Sequence, residues 1–117
     1  MTTKIDGTNG IIFPDSTTQS TAAVSVGVGQ TWQNMSANRT LGSTYTNSSG
    51  KPIQVSVVYN LGAGNACSLT VAGNIVQQFG NNSGVSTNFT VSAIIPNGTT
   101  YSSTAGSGPA YTWWELR

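Results

Sequence analysis

The sequence contains no histidine and a single cysteine. Without histidine, the chain cannot build a Ser-His-Asp or Cys-His nucleophilic system or a histidine-containing metal site. One cysteine, Cys67, excludes an internal disulfide. Because Ser68, Leu69, Thr70 and Val71 alternate after it, we expect Cys67 to be a small buried side chain of the core.

Charged residues are also scarce: four are basic and three are acidic, for a net charge of +1. No basic stripe is available to neutralise phosphates, so nucleic-acid binding is not expected. Apolar runs stay well short of the roughly 18 residues of a membrane span, and the N-terminus lacks the pattern of a signal peptide. We therefore expect synthesis in the cytoplasm without a signal peptide, and no membrane insertion.

Carboxylates are too few to favour catalysis. A glycosidase needs two of them within about 5 to 10 Å, and the chain has only Asp6, Asp15 and Glu115. We expect no enzymatic activity, no cofactor and no metal site; a depolymerase that trims capsule or lipopolysaccharide is the least favoured alternative. Glu115 is expected to pair with Arg39, Lys51 or Arg117.

Serine, threonine, asparagine and glycine supply about half of the chain, and apolar residues alternate with polar ones over much of it. A period of two predicts β-strands with one buried face, and no segment has the helical period. The fold class predicted is all-β, an antiparallel β-sandwich of about seven or eight strands. Its predicted strands are the alternating residues 40–45, 53–60, 67–71, 75–79, 89–95 and 111–117, with a short strand near 99–101 and a loop at 102–109.

The first 26 residues have a different composition. Ile11, Ile12 and Phe13 are followed by a hydroxyl-rich tract that cannot bury enough surface as a single chain. We therefore divide the chain into an extended shaft-like or linker segment, residues 1–26, and a β-sandwich domain, residues 27–117. A flexible leader is the alternative for the first segment.

Four phrases occur in order along the chain: Gly10-Ile-Ile-Phe-Pro-Asp-Ser-Thr-Thr-Gln-Ser-Thr-Ala-Ala23, Val28-Gly-Gln-Thr-Trp32, Thr44-Tyr-Thr-Asn47 with Gly50-Lys-Pro-Ile53, and Trp114-Glu-Leu-Arg117. Together they resemble the C-terminal receptor-binding tip of a bacteriophage or prophage tail fibre. The chain departs from that pattern at Ser16, where a glycine is usual, so the turn after Asp15 is expected to take another geometry.

The resemblance implies a homotrimer in the virion, joined to the remainder of the tail fibre, that binds a bacterial surface glycan, lipopolysaccharide or an outer-membrane protein. Three chains would share a narrow core, with Ile11 and Phe13 pointing to its axis. Trp113 and Trp114 are consecutive in a strand and point to opposite faces, so only one can lie in the core of the sheet and the other should face a neighbouring subunit or solvent. Both are therefore named as candidates for the trimer interface. A purely structural trimerisation or capping domain, or a capsid or head-fibre decoration protein, is the alternative.

Recognition is expected in loops, because a rigid β-scaffold holds them while their side chains vary. Residues 60–66, 80–84 and 101–111 are the candidate loops, and they offer amides, hydroxyls and aromatic rings. Each loop could equally be a glycine-rich connection. The candidate receptor-binding residues are Asn60, Asn65, Asn81, Asn82, Tyr101 and Tyr111.

Overall fold

A computed structural model describes residues 2–19 and 25–117, and these residues form an all-β protein without a helix. They contribute eleven strands to three antiparallel sheets. The predicted all-β, antiparallel class is confirmed. The strands are β1 (Lys4–Asp6), β2 (Gly10–Ile12), β3 (Thr18–Gln19), β4 (Trp32–Asn34), β5 (Tyr45–Thr46), β6 (Ile53–Leu61), β7 (Ala66–Val71), β8 (Asn74–Gly80), β9 (Thr87–Ile95), β10 (Thr100–Ala105) and β11 (Ala110–Leu116).

Two four-stranded sheets lie beyond residue 31, one in the order β5-β10-β7-β8 and the other in the order β4-β11-β6-β9. Strands of both sheets supply side chains to one buried core. Strand β6 shows why, because every second residue from Ile53 to Leu61 is fully buried. Cys67 is buried in the same core, as expected. Two sheets of four strands around one core fit the predicted sandwich.

An internal repeat organises these sheets. Residues 45–71 match residues 79–105 without a gap, at a constant offset of 34 positions: Asn47 matches Asn81, and Ile53 at the start of β6 matches Thr87 at the start of β9. The strand pairing obeys the same relation, since Val57 lies opposite its own equivalent, Val91. Residues identical in the two halves are Asn47 and Asn81, Ser49 and Ser83, Gly50 and Gly84, Val57 and Val91, Gly64 and Gly98, Ser68 and Ser102, and Thr70 and Thr104.

The repeated asparagines hold equivalent loops. The Asn47 Nδ2 group donates to the carbonyl oxygens of Lys51 (2.8 Å) and Ile95 (2.9 Å). Asn81 donates in the same way to Val85 and Leu61, each at 2.8 Å. In both loops the Oδ1 atom accepts the N–H of the serine two residues later. Each asparagine therefore ties the loop before a long strand to the end of the partner strand.

Two predictions about elements are wrong. Residues 102–109 were expected to be a loop, but β10 continues to Ala105 because Ser103 is buried with satisfied polar groups: its Oγ donates to the Ser68 carbonyl and lies 2.6 Å from the Tyr59 hydroxyl. Residues 40–44 were expected to form a strand, but they turn at Gly42, whose φ is 83°, and only Tyr45–Thr46 is extended.

The described part of the leader folds back twice as the antiparallel sheet β1-β2-β3. Asp6 accepts the Thr8 N–H at the first turn, and Asp15 accepts the Thr17 N–H at the second. Residues 4–19 are therefore not one continuous extended segment, and the shaft-like role of residues 1–26 stays a prediction. Met1 and residues 20–24 of the predicted leader lie outside the described residues.

Ser16 takes the backbone conformation that a glycine would favour, with φ at 68°. Its N–H donates to the Phe13 carbonyl at 2.9 Å, which closes the turn. The turn after Asp15 thus keeps a glycine-type geometry although the residue is serine. The expectation of another geometry is wrong.

Candidate functional site

Two of the predicted recognition loops, residues 60–66 and 80–84, lie at one end of the two sheets together with residues 106–109 of the third. Tyr101, where the third predicted loop begins, lies opposite Val71 at the other end. Strand β6 ends at Leu61, opposite Thr87 at the start of β9, and Asn60 lies opposite Ala110 at the start of β11. The leader joins at the other end, where Thr31 exchanges two backbone hydrogen bonds with Arg117. Eight steps of ~3.3 Å along the nine residues of β6 place roughly 26 Å between the two ends. We call these the far end and the leader end.

Two of the candidate receptor residues are buried, which corrects their assignment as exposed loop residues. Tyr101 is 1% exposed and lies in β10, because its ring belongs to the core and its hydroxyl bonds to Glu115. Asn81 is also 1% exposed, because its side-chain amide makes the loop hydrogen bonds described above. Neither side chain is presented to a receptor in this structure.

Asn60 and Tyr111 lie close together at the far end, where both border a cleft of about 230 Å³ on the outer face of the β4-β11-β6-β9 sheet. The Asn60 side chain points to that face. Tyr111 alternates with the outward Ala110 and Thr112, so its ring lies on the core side beside Tyr59, which corrects its assignment as a receptor-contacting side chain. Asn88, which sequence reasoning missed, lies directly opposite Asn60 in β9. Only the strand register reveals this neighbour. We call this surface the asparagine cleft, and it is formed by Val58, Asn60, Asn88, Ala110, Tyr111 and Thr112.

The two asparagines form a hydrogen-bonded amide pair. Asn60 Nδ2 donates to Asn88 Oδ1 at 2.8 Å. Among the described residues, Asn60 Oδ1 accepts no hydrogen bond and Asn88 Nδ2 donates none. Both side chains are exposed. The cleft therefore offers a ligand one free acceptor and one free donor group on paired amides.

Tyr111 is fixed rather than free. Its hydroxyl donates to the Arg39 carbonyl at 2.9 Å, and its ring lies 6.2 Å from that of Tyr59. These contacts hold the start of β11 against the core, and the Tyr111 ring is not presented at the cleft. Chemically, the arrangement suits reversible binding by hydrogen bonds and apolar contact.

The two remaining candidates, Asn65 and Asn82, lie at the far end of the molecule but do not line the asparagine cleft. Asn82 is exposed, immediately after the buried Asn81. Asn65 is half-buried between two glycines: a Cβ atom at Gly106 would lie 3.0 Å from its Oδ1 atom. Asn65 thus packs between loops, whereas Asn82 is open to solvent.

Glu115 forms a buried cluster that sequence reasoning treated only as a pairing. Its carboxylate is unexposed and accepts hydrogen bonds from Arg39 Nε (2.7 Å), Tyr101 Oη (2.9 Å) and Trp113 Nε1 (3.1 Å). Arg117 Nε lies 3.3 Å from the other oxygen. The expected pairing is confirmed for Arg39 and Arg117. Every neighbour is a donor, so the cluster stabilises the carboxylate as an anion.

Burial also affects the two core tyrosines. Desolvation raises the pKa of Tyr101 to about 12, and the nearby Glu115 carboxylate adds to the rise. Desolvation likewise raises the pKa of Tyr59 to about 12. The Arg39 guanidinium is bound to Glu115 and stacks 4.6 Å from the centre of the Tyr45 ring. These groups stabilise the fold and are not arranged as acid and base.

Among the trimer-interface candidates, Trp113 requires a correction. It is fully buried within the single chain because it points inward and donates to Glu115. Trp114 points outward, as alternation requires, and stays a candidate. Ile11 and Phe13 are 36% and 37% exposed and also stay candidates.

Trp114 belongs to an apolar area at the leader end of the same outer face. One row across the sheet runs Trp32, Leu116, Gln54 and Ile94, and Trp114 lies in the next row beside Ser56. Trp32 and Ile94 are about half exposed. We call Trp32, Trp114, Leu116 and Ile94 the tryptophan patch. No charged side chain stands in either row.

The other four-stranded sheet presents hydroxyls on its outer face. A smaller cleft of about 100 Å³ there is lined by Thr44, Thr70, Gly73, Thr100, Tyr101 and Ser102. Tyr101 is buried beneath it. Exposed apolar side chains of this sheet, Ile75 and Val76, lie on β8. The two outer faces therefore differ in that only the β4-β11-β6-β9 face, among the described residues, carries the amide pair and the outward-facing tryptophans.

Within residues 2–19 and 25–117, no three histidine, cysteine, aspartate or glutamate side chains come close enough to hold a metal ion. No helix in this described part of the chain could cross a membrane. Comparisons with protein-family models, curated proteins and solved structures give no match to this chain.

Proposed function

We propose that this protein is the C-terminal tip of a bacteriophage or prophage tail fibre, which trimerises and binds a receptor on the bacterial surface. The proposal rests on the tail-fibre phrases of the sequence together with one structural observation. The loops at residues 60–66, 80–84 and 106–109 and the asparagine cleft share the end opposite the point where the leader joins. A fibre tip must present its receptor site away from the shaft.

The tryptophan patch supports the trimeric part of the proposal. An exposed group of two tryptophans, a leucine and an isoleucine without charge is typical of a contact surface, because aromatic rings bury large areas at subunit interfaces. It lies at the leader end, where three leaders that converge on a common axis would bring three copies together. The cleft, at the other end of the same face, stays open to a receptor.

Oligomeric state is the first test. Light scattering coupled to size-exclusion chromatography should give a mass of three times 12.1 kDa. Replacing Trp32 and Trp114 by glutamine should shift the mass toward one chain, since the patch loses its apolar area. The control is Ile75→Gln, which removes an equally exposed apolar side chain from the other sheet and should leave the trimer intact. A clean monomer for the unaltered chain would contradict the trimer.

Adsorption to bacteria is the second test. Fluorescently labelled protein should bind cells of at least one strain in a broad panel, with avidity raised by three linked sites. Asn60→Ala should reduce the bound fraction, whereas Gln78→Ala, an exposed amide on the other sheet, should not. A trimer that binds no strain would favour the structural capping or decoration alternative instead.

A further inference from the structure

We infer that the asparagine cleft binds a neutral sugar ring through two adjacent hydroxyl groups, with the Asn60–Asn88 amide pair as its recognition element. The inference rests on the proposed function and specifies the class of receptor. It distinguishes an uncharged glycan from an acidic sugar, a phosphorylated one or a protein loop.

The hydrogen-bonding groups of the amide pair match those of a sugar. Because Asn60 donates to Asn88, the two amides are held side by side with Asn60 Oδ1 free to accept and Asn88 Nδ2 free to donate. A sugar hydroxyl both donates and accepts, so two neighbouring hydroxyls match this pair. Val58 and Ala110 lie in the adjacent positions of the same face and supply apolar contact for the ring carbons.

The lack of a basic side chain at the cleft argues against an acidic or phosphorylated sugar as its ligand. No lysine or arginine lines the cleft. Arg39 is bound to Glu115 and only 12% of its side chain is exposed. Lys51 precedes the start of β6, whereas Asn60 lies near the end of that strand, roughly 23 Å from Ile53. A carboxylate or phosphate in the cleft would lose its hydration without gaining a cation.

The internal repeat shows that the amide pair is not needed by the fold. The positions equivalent to Asn60 and Asn88 are Ile94 and Gln54, which face each other at the other end of the same two strands. The repeat keeps its loop asparagines at both ends, at Asn47 and Asn81, because both loops require them. Paired asparagines on the outer face of these two strands occur at the far end and not at the leader end.

Size limits the ligand. Pockets for drug-sized ligands span roughly 300 to 1,000 Å³, and the cleft holds about 230 Å³. One sugar ring fits this space better than a chain of rings. We therefore expect weak binding at each cleft, with the strength at a cell surface supplied by the trimer.

The experiment is a titration of the full-length, isotopically labelled protein with methyl glycosides of glucose, galactose, mannose and rhamnose, followed by amide chemical shifts. Sialic acid, glucuronic acid and glucose 6-phosphate are titrated in parallel. The side-chain amide signals of Asn60 and Asn88 should move with at least one neutral glycoside and not with the acidic sugars. Raising the salt concentration should leave the affinity unchanged, because no ion pair is formed.

The matched variant is Asn60→Ile with Asn88→Gln, which installs the residues that the molecule itself carries at the equivalent positions. It should fold, as its backbone amide spectrum will show, and bind the neutral glycoside at least tenfold more weakly. Gln78→Ala is the control and should bind like the unaltered protein. If the variant is poorly folded, Asn88→Asp alone, which replaces the free donor by an acceptor, should give the same loss.

Three results would overturn the inference: no neutral glycoside shifts the two amides, an acidic sugar binds more tightly, or a purified outer-membrane protein rather than a sugar perturbs the cleft. These outcomes are separable from failure of the proposed function. Cells that bind the protein while no sugar does would overturn the inference alone. Sugar binding by a protein that adsorbs to no bacterium would overturn the fibre-tip function alone.

Discussion

The phenol of Tyr101 donates a 2.9 Å hydrogen bond to the carboxylate of Glu115 and thereby joins the two four-stranded sheets inside the core. Tyr101 lies on β10 in one sheet, and Glu115 lies on β11 in the other. The same carboxylate oxygen also accepts from Arg39 and Trp113. Burying a charge is costly unless it is paired and hydrogen-bonded. The Glu115 carboxylate therefore depends on its donors, and Arg39 depends on the carboxylate.

Glu115→Gln is expected to destabilise the domain by about 3 to 5 kcal/mol, because it leaves the guanidinium of Arg39 without its partner and adds a donor among donors. Urea unfolding followed by tryptophan fluorescence measures the loss. The control is Arg117→Gln, which removes the more exposed and more distant partner and should cost about 1 kcal/mol or less. Equal losses in the two variants would show that the cluster does not depend on the carboxylate charge.

Alkaline pH should destabilise the fold through its buried tyrosines. The pKa of Tyr59 and of Tyr101 is raised to about 12 in the folded state, against about 10 for an unfolded tyrosine. The folded state holds these protons more tightly, so the stabilisation is complete below pH 10 and is lost as the pH rises toward 12. At pH 11 the stabilisation lost through each tyrosine should be about 1 kcal/mol.

The measurement is the free energy of unfolding between pH 8 and pH 12 for the unaltered chain and for Tyr59→Phe. The variant should lose about half of the tyrosine-linked fall in stability, because one of two such groups is gone. A fall of the same size in both proteins would mean that Tyr59 does not titrate as its burial requires.

Alternation of apolar and polar residues was enough to place most strands. Residues 53–60, 67–71, 75–79 and 89–95 were predicted as strands and lie within β6, β7, β8 and β9. In β6 and β9 an apolar side chain at every second position faces the core, and burial of that face decides the local structure. Strand β8 follows the same period although Ile75 is 60% exposed. The sequence-based prediction ended β10 too early, near residue 101. The buried positions of this strand include Ser103, whose partners Tyr59 and Ser68 come from other strands and are not visible in the local sequence.

The site was predictable only in part, for the same reason. Asn60 was found because amides suit recognition, but Asn88 required knowledge of the strand register. Asn81 was misassigned because an asparagine in a glycine-rich loop looks exposed. One signal in the sequence could have corrected it: Asn-x-Ser-Gly occurs at residues 47–50 and again at 81–84, and a repeated phrase of this kind indicates a structural requirement.

The repeat predicts that its two loop asparagines contribute equally. Asn47→Ala and Asn81→Ala should each cost about 2 to 4 kcal/mol, because each removes two Nδ2 hydrogen bonds to carbonyl oxygens and leaves a serine N–H without its acceptor. Urea unfolding tests the equality. Asn82→Ala, one residue away and exposed, should change stability by no more than about 0.5 kcal/mol. If one loop variant is neutral, the two loops are alike in geometry but not in energy.

The hairpin between β7 and β8 offers a position at which the protein can be stabilised. Ala72 and Gly73 connect Val71 to Asn74, and their φ angles are 51° and 78°. A two-residue turn with both φ angles positive favours Asn-Gly, because asparagine tolerates the left-handed conformation that strains alanine. Ala72→Asn should therefore raise the free energy of unfolding by about 1 kcal/mol.

Ala63→Asn is the matched control for that gain. Ala63 is also an exposed alanine before a glycine, but its φ is not positive, so asparagine should bring no stabilisation there. Urea unfolding of both variants decides the point. Because the Ala72 N–H donates to the Thr100 carbonyl through the backbone, the substitution leaves the link between this turn and β10 intact. A gain at Ala63 equal to that at Ala72 would show that backbone strain is not its source.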